Sequence, residues 1–309
     1  MMRAPRSVFA KWVVSVAAMV LAPAAWAGGA WVPEVGQGDV ELGASQKTAH
    51  TSWDSRGKSF VNKVGSTGQI TYHDFRYAYL SGEVGLFKRL STRFLMTYLD
   101  GYEGPNGAKE ENAGLSDAWF GLKYALSTGR LPMAVAVTYR SSYFYDLPGD
   151  YDRHLFDSRG QVKGVSPEWR GLLKEDYGVS YLISQSFREG RGWWNVEVGY
   201  TYRKGAPADQ IPLYFDLGYP LPFWRSAVKA TFSHIQSRGN DSRREANDRF
   251  GSRPGFNFNN ATYGRGGVSW LVPLGRAQKW SLELGYNQWL YGRSSRRYQE
   301  PYLSIGRRF

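Results

Sequence analysis

The chain has 309 residues, a formal net charge of +12 and no cysteine. The lack of cysteine excludes a disulfide framework. Beyond the first segment, no apolar run approaches the ~18 residues that indicate a transmembrane helix. Aromatic residues make up 16% of the chain and 36 residues are glycine, a composition rich in strand and turn formers.

The first predicted element is an export signal over residues 1–27. Three basic residues precede an apolar run from Trp12 to Leu21: Arg3, Arg6 and Lys11. Ala25 and Ala27 then place small residues at the two positions that a signal peptidase reads. A membrane-anchoring helix is the alternative, but the run is shorter than the ~20 residues that span a bilayer. We predict cleavage after Ala27, which leaves 28–309 as one domain. An exported chain is a poor match to nucleic-acid binding, so we expect no nucleic-acid partner.

From residue 38 onward, apolar and polar residues alternate. Between 280 and 291, large apolar residues occupy most even positions, and Ser281, Glu283 and Asn287 occupy odd ones. Segments of about ten residues with this period of two are typical of transmembrane β-barrel strands. Twelve segments fit the pattern, at 38–48, 70–87, 92–101, 115–126, 131–145, 173–187, 193–204, 211–219, 225–236, 261–272, 280–291 and 298–309.

The connections between these segments alternate in length. The short ones read KRLS, STGR, REGRG, PLPFW and PLGRAQK, whereas long ones lie near 50–69, 102–114, 146–172 and 237–260. Short periplasmic turns opposite long extracellular loops are typical of outer-membrane barrels, and tryptophan and tyrosine at strand ends would form the interfacial girdles. A soluble β-sandwich, the alternative for this composition, requires neither feature. We predict an all-β fold, a transmembrane antiparallel up-and-down β-barrel of about 12 strands, in the outer membrane of a Gram-negative bacterium.

If the apolar faces meet lipid, the opposite faces line a lumen. The candidate lumen-lining charges are Glu83, Lys123, Arg140, Glu197, Asp216, Lys229, Arg265 and Glu283. Unpaired charges in a narrow interior are costly, so we expect opposite signs to pair. Two interpretations remain open: the pairs fill the barrel and hold it together, or they line a polar pore that selects solutes.

Enzymatic and metal sites have little support. The stretch FSHIQSRGND resembles the His-x-Ser type of motif in outer-membrane phospholipases and lipid A deacylases, but His234 and Ser237 are three apart, which places them on opposite faces of a strand. His50 and Ser52 have the even spacing without an obvious orienting partner. Acidic residues near Asp150 lack the ordered ligand spacing of a calcium loop. We therefore predict no enzyme, and no catalytic, cofactor-binding or metal-binding residue.

The long loop near 237–260 carries five arginines among three acids: Arg238, Arg243, Arg244, Arg249 and Arg253 against Asp241, Glu245 and Asp248. Guanidinium groups suit bidentate contacts with the phosphates of lipopolysaccharide. Ordinary solvated surface charge is the alternative.

Three stretches carry a family resemblance. GLSDAWFGLKYAL (114–126) resembles a strand of barrels related to the phenol meta-pathway outer-membrane proteins, and GAWVPEVGQGDVELGASQ (29–46) is similar to small barrels encoded with polysaccharide and biofilm genes. PYLSIGRRF (301–309) resembles a terminal barrel strand, in which the last residue, Phe309, is read by the insertion machinery; Arg307 departs from the usual apolar residue two before the end.

The resemblance implies an even-stranded barrel that passes or binds small molecules. We predict a passive, porin-like channel for a small solute, with outer-membrane lipid and lipopolysaccharide as neighbours. Export of an exopolysaccharide, a biofilm-associated barrel, a lipid-modifying enzyme and a purely structural barrel are the alternatives.

Overall fold

The computed structural model describes residues 29–54, 56–63, 70–105, 110–141, 175–187, 192–204, 208–223, 225–238, 261–275 and 277–309. These residues form sixteen strands, and they include no helix that is long and apolar enough to cross a bilayer. The strands are β1 (Gly38–Ala49), β2 (Thr51–Trp53), β3 (Ser59–Val61), β4 (Thr71–Phe87), β5 (Leu90–Pro105), β6 (Glu110–Leu115), β7 (Ala118–Ser127), β8 (Met133–Ser141), β9 (Asp176–Phe187), β10 (Gly192–Arg203), β11 (Asp209–Pro220), β12 (Ala227–Arg238), β13 (Thr262–Leu274), β14 (Trp280–Arg293), β15 (Ser295–Arg296) and β16 (Gln299–Arg308).

Twelve of these strands close into an antiparallel barrel. Around the wall the order is β1, β4, β5, β7, β8, β9, β10, β11, β12, β13, β14 and β16, and β16 pairs again with β1. The pairing at the closure reaches the last residue, because Gly38 N donates to Phe309 O at 3.1 Å and Phe309 N donates to Gly38 O at 3.0 Å. A barrel closed in this way has no exposed strand edge.

The predicted all-β barrel of twelve strands is confirmed, and several boundaries differ. The segment predicted at 92–101 extends over Leu90–Pro105 as β5, and β5 and β6 together take up most of the connection predicted near 102–114. The segment predicted at 115–126 is longer and is broken at Ser116 and Asp117, so that β6 and β7 both pair with β5. At the break, Ser116 N donates to Thr97 O at 2.8 Å. The segment predicted at 131–145 appears as β8 up to Ser141, and its remainder lies outside the described residues.

Side chains on the wall follow the alternation that the sequence predicts. On β8, outward-facing Val137 is 50% exposed while inward-facing Ala136 is fully buried, and on β9 Val179 is 49% exposed while Leu182 is fully buried. The outward face therefore forms an apolar belt around the barrel, and large apolar residues of this kind are stable when exposed only if they meet lipid or another apolar surface.

A β-bulge changes one prediction about the girdles. Gly264 pairs with Tyr291 and Arg265 pairs with Trp289, so Leu290 is an extra residue on β14. An extra residue reverses the alternation beyond it. Tyr291 consequently faces outward and is 44% exposed, although its odd position would place it on the inner face with Asn287. Trp289 lies before the extra residue, keeps the inward face of Asn287 and is 6% exposed, so it is not part of an outer girdle.

Two further features were not predicted. A small sheet of β15, β2 and β3 stands beyond the barrel strands; strands of two or three residues are too short to show a period. Arg307 also has a structural explanation, because its guanidinium lies 5.2 Å from the Trp280 ring centroid. This cation–π contact places a charged side chain at the aromatic end of the belt.

Candidate functional site in the barrel lumen

The lumen has two distinguishable ends. The turn end holds Gly38, Phe309 and the short connections such as the one between Phe87 and Leu90. The loop end is the opposite one, where β1 and β14 lead into the small sheet. We call the inward side chains nearer each end the turn half and the loop half of the lumen.

The turn half contains five of the eight predicted lumen charges in close polar contacts. Lys123 Nζ lies 2.7 Å from Glu83 Oε2 and is fully buried. Lys229 Nζ lies 2.7 Å from Glu283 Oε1, and the Tyr302 hydroxyl donates to the same Glu283 oxygen at 2.7 Å. The fifth charge, Asp216, accepts hydrogen bonds from two neutral groups, Asn195 Nδ2 at 2.9 Å and Trp193 Nε1 at 2.8 Å.

Glu197 lies in mid-lumen. Its Oε1 atom is 3.2 Å from Arg93 Nη2 and accepts a hydrogen bond from Ser180 Oγ at 2.6 Å. Arg93 was not predicted as a lumen residue, because β5 also points Leu95 and Leu99 inward. With apolar residues on both faces, the alternation on β5 does not reveal which face is the interior.

The loop half contains the other two predicted charges, each in a larger cluster. Arg140 bridges Asp117 and Asp176, and Arg203 Nε lies 3.6 Å from the same Asp176 carboxylate. On another part of the wall, Arg265 Nη1 lies 3.3 Å from Glu300 Oε2. Glu300 is fully buried. It was not predicted as a lumen residue, although its even position places it on the face of the strand away from Leu303 and Ile305.

An aromatic cluster lies beside Arg265 and Glu300 in the loop half. It consists of Phe75, Tyr77, Tyr263, Trp289 and Tyr298. Lys47 Nζ is 4.4 Å from the Tyr77 ring centroid and 3.4 Å from Glu300 Oε1. The loop half thus combines ring faces with fixed charges, an arrangement that can contact both the apolar and the polar parts of a solute.

The N-terminal segment, residues 29–37, lies inside the barrel at the turn half. Gly36 N donates to Gly85 O at 2.9 Å on β4, next to β1. At its other end, Ala30 N donates to Ser184 Oγ of β9 at 2.6 Å, and Ala30 packs with Ala134, Ala136 and Leu182. Since β9 is five strands from β1 around a wall of twelve, the segment crosses the lumen from one side to the other.

The enzyme candidates are not brought together. His234 Nδ1 is 2.9 Å from the Tyr291 hydroxyl on the outward face, and Ser237 Oγ donates to Ala261 O at 2.6 Å. Within the described ranges, no three His, Asp or Glu side chains form a group that could hold a metal ion. The acidic residues near Asp150, and all of the arginines from 243 to 253, fall outside those ranges.

At the rim of the loop end, a solvent-exposed pair joins β9 and β10. Lys204 Nζ lies 2.9 Å from Glu175 Oε2. The hydrogen bond from Lys204 lowers the pKa of Glu175 below 4.5, and the same bond raises the pKa of Lys204 above 10.5. Both side chains are hydrated, so the pair contributes little to stability.

Comparisons with known proteins agree on the architecture. No protein-family model and no curated protein matches the chain. An outer membrane channel from Pseudomonas putida F1 aligns with a TM-score of 0.61 at 11% sequence identity, over 91% of this chain and 98% of that one. At this identity the likeness shows the fold: the chain is a twelve-stranded barrel built like that channel.

Two other structures align less well. The NanC porin has a TM-score of 0.48 at 6% identity, over 87% of this chain and 100% of that one. The CymD monoaromatic hydrocarbon channel has a TM-score of 0.46 at 10% identity, over 95% and 94% of the two chains. Scores below 0.5 carry no argument about this chain. The resemblances to the phenol meta-pathway and polysaccharide-linked barrels stay predictions.

Proposed function

We propose that this protein is an outer-membrane channel for small solutes, with its turn end in the periplasm. The observation that carries the proposal is the contrast between the two faces of one closed wall. The outward face exposes large apolar residues such as Val137 and Leu290, while the inward face buries charged side chains such as Arg93 and Glu197. Apolar outside and polar inside is the arrangement of a barrel that surrounds a polar path through lipid.

The predicted export signal and the barrel fold support the same location. A chain exported across the inner membrane and folded as a closed barrel with an apolar belt is stable in the outer membrane. Outer-membrane lipid and lipopolysaccharide would then surround the belt and the loop end.

Phe309 is the proposed contact with the insertion machinery. Its side chain is 47% exposed, while its backbone completes the closure with Gly38. We expect Phe309→Ala to lower the amount of barrel in the outer membrane without impairing refolding in detergent. If Phe309→Ala reduces the amount of folded barrel equally in the outer membrane and in detergent, Phe309 contributes to barrel stability instead.

The solute path would be narrow at the periplasmic side. Residues 29–37 cross the turn half, and the paired charges project from the wall around them. A small polar or amphipathic molecule entering from the loop end would therefore meet the aromatic and charged side chains of the loop half first. Fixed charges of both signs favour selection of solutes by their charge distribution over selection by size alone.

Single-channel conductance of refolded residues 28–309 in a planar bilayer tests the proposal. We expect small discrete steps, with anions preferred because the sequence carries an excess of basic residues. A second preparation that begins at Gly36 removes most of the crossing segment while keeping its contacts with Gly85. If both preparations are folded, shown by a heat-dependent shift in gel mobility, and neither conducts, the protein is not a channel.

A further inference from the structure

The short connections at the turn end carry exposed basic side chains. Six of them lie in the described turns or beside the last residue, and we call them the turn-end cations: Lys88, Arg89, Arg130, Arg225, Lys279 and Arg307. The described parts of the connections 88–89, 128–132, 221–226 and 275–279 contain no aspartate or glutamate, and residues 188–191 lie outside the described ranges. The exposed acids of this end, Glu34 and Asp39, lie at the lumen, where Asp39 pairs in register with Arg308.

These cations differ from the exposed charges nearer the loop end. There, Lys204 forms an ion pair with Glu175, and Arg76 forms one with Asp100. Within the part of the chain that the structure describes, none of the six turn-end cations forms an ion pair with an acid. The turn end therefore presents positive charge that the described residues do not neutralise.

The turn-end cations border the apolar belt. Phe87, 68% exposed, directly precedes Lys88, and the exposed Trp280 directly follows Lys279. Arg307 faces outward and lies with its guanidinium 5.2 Å from the Trp280 ring centroid. The cations thus begin where the belt ends, so their apolar stems can lie along lipid-facing surface while their charged ends reach the headgroups.

Arg225 adds an independent observation from the backbone. Its φ is +50°, in the left-handed region that favours glycine, and Gly275 occupies a comparable position, with φ of +74°, in another short connection. An arginine there costs conformational energy that glycine avoids. No described ion pair offsets this cost, which is the combination expected of a side chain whose partner lies outside the chain.

Anionic phospholipid headgroups match this surface in both charge and position. Guanidinium groups make bidentate contacts with phosphate, and each basic side chain near an anionic membrane surface adds to the attraction. A soluble acidic protein would match the charge alone. It would approach from the periplasm and would have no use for the exposed apolar side chains that adjoin the cations.

We propose that the turn-end cations bind the headgroups of anionic phospholipids in the periplasmic leaflet of the outer membrane. This lipid site lies on the outside of the barrel, separate from the lumen, and holds the turn end at the depth of the headgroups. The inference rests on the orientation given under the proposed function, with the turn end in the periplasm, and does not depend on what the channel passes.

Competition between two lipids tests this proposal. Refolded residues 28–309 in a neutral detergent receive equimolar phosphatidylglycerol and phosphatidylcholine with identical acyl chains, and native mass spectrometry counts the molecules of each that remain bound. We expect phosphatidylglycerol to be bound in at least ~fivefold excess, the factor that one basic side chain at an anionic surface supplies. Equal binding of the two lipids would overturn the proposal and leave the cations to a soluble partner.

A soluble competitor separates lipid from free phosphate. Glycerol phosphate carries a phosphate group without acyl chains, and we expect an excess of it to leave the preference for phosphatidylglycerol in place. Loss of the preference would show that the cations bind soluble phosphates, which would overturn the lipid assignment.

Two triple variants of equal charge separate the turn end from the general positive charge of the chain. The turn-end variant carries Lys88→Gln, Arg225→Gly and Lys279→Gln, and the control carries Lys58→Gln, Lys204→Gln and Arg238→Gln, at exposed residues of the loop end. Glycine suits φ of +50° at position 225, so that turn keeps its conformation. We expect the turn-end variant to lose most of the preference for phosphatidylglycerol and the control to keep it. The same preference in both variants, each shown to be folded by gel mobility, would overturn the proposal.

Conductance measured on the same preparations keeps this proposal distinct from the channel function. A preference for phosphatidylglycerol in a barrel that does not conduct would support the lipid site and contradict the channel. A conducting barrel that binds both lipids equally would support the channel and overturn the lipid site.

Discussion

The turn half and the loop half of the lumen bury charge in different ways. In the turn half, Lys123 and Lys229 each pair with one glutamate, and a separate piece of chain, residues 29–37, occupies the space between the walls. In the loop half, Arg140 and Arg265 belong to larger clusters carried by the wall itself, one of them lined by aromatic rings.

This difference predicts separate roles. A segment attached to β1 can leave the turn half without breaking a barrel strand, so the turn half can control whether a path exists. The loop-half groups belong to strands or adjoin them, so changing them alters what a solute contacts without removing an obstruction. Variants in the turn half should therefore have larger effects on conductance and stability than variants in the loop half or at its rim.

Removing the crossing segment should change conductance most. A chain that begins at Gly36 retains the hydrogen bonds between Gly36, Gln37 and Gly85 but lacks the span that crosses the lumen. We expect its single-channel conductance to rise severalfold over that of residues 28–309, because the cross-section at the turn half widens.

A reversible version of this experiment supplies the control. The chain has no cysteine, so Ala30→Cys with Ala136→Cys introduces a single pair, at two residues that pack together. We expect low conductance when the pair is oxidised and wild-type conductance after reduction. Unchanged conductance in the chain that begins at Gly36 would show that the segment does not limit the path.

Breaking a turn-half ion pair should be the largest change in stability. Lys123→Met removes the cation that contacts Glu83 and the Gly29 carbonyl. Removing one partner of a buried pair costs about 3–5 kcal/mol of unfolding free energy, measured by urea unfolding in lipid vesicles.

Two further variants test whether the lost unfolding free energy comes from leaving a buried charge without a partner. The double variant Lys123→Met, Glu83→Gln should recover part of it, since no buried charge then lacks a partner. Leu122→Met changes the neighbouring outward residue at nearly constant volume and should cost little. A loss as large in Leu122→Met as in Lys123→Met would contradict the assignment of Lys123 to the interior.

Removing a charge from the loop half should alter the ion selectivity of the channel rather than its single-channel conductance. Lys47→Met removes a cation that lies against the Tyr77 ring and Glu300. We expect the reversal potential in a salt gradient to shift toward cation preference, with step amplitudes within about twofold of wild type, because the charge and not the width of the path changes. Lys279→Met, at an exposed turn, should leave selectivity unchanged.

The exposed pair at the rim should give the smallest effect. The pKa of Glu175 is lowered below 4.5 and that of Lys204 is raised above 10.5. The stabilisation is therefore complete between these two values. It declines as pH falls through the folded pKa of Glu175, and again as pH rises through the folded pKa of Lys204.

Solvent screening keeps this contribution small. Urea midpoints measured across pH for wild type and Lys204→Met should coincide at acid pH, where Glu175 is protonated, and differ slightly near neutrality. A difference that grows as the solution becomes acidic would have the wrong sign for this pair.

Some interior residues were predictable and others were not. The eight charges selected from the alternation all lie within the barrel wall on its inner side, and their role in selecting solutes stays a prediction. The outward face of Tyr291 could not be predicted, because a one-residue bulge at Leu290 leaves no signal in a pattern of period two. Asp117 lies in the break between β6 and β7, and Arg140 lies on β8, so their contact depends on how the two parts of the broken segment pair with β5.

The sequence by itself determined the class of fold, the number of barrel strands and the face of most side chains. These properties follow from a period of two and from turn composition, both of which are local along the chain. Only the tertiary structure decided which charges meet and that residues 29–37 cross the lumen. Such contacts join residues far apart in sequence, and the stagger and closure of the barrel set their distances.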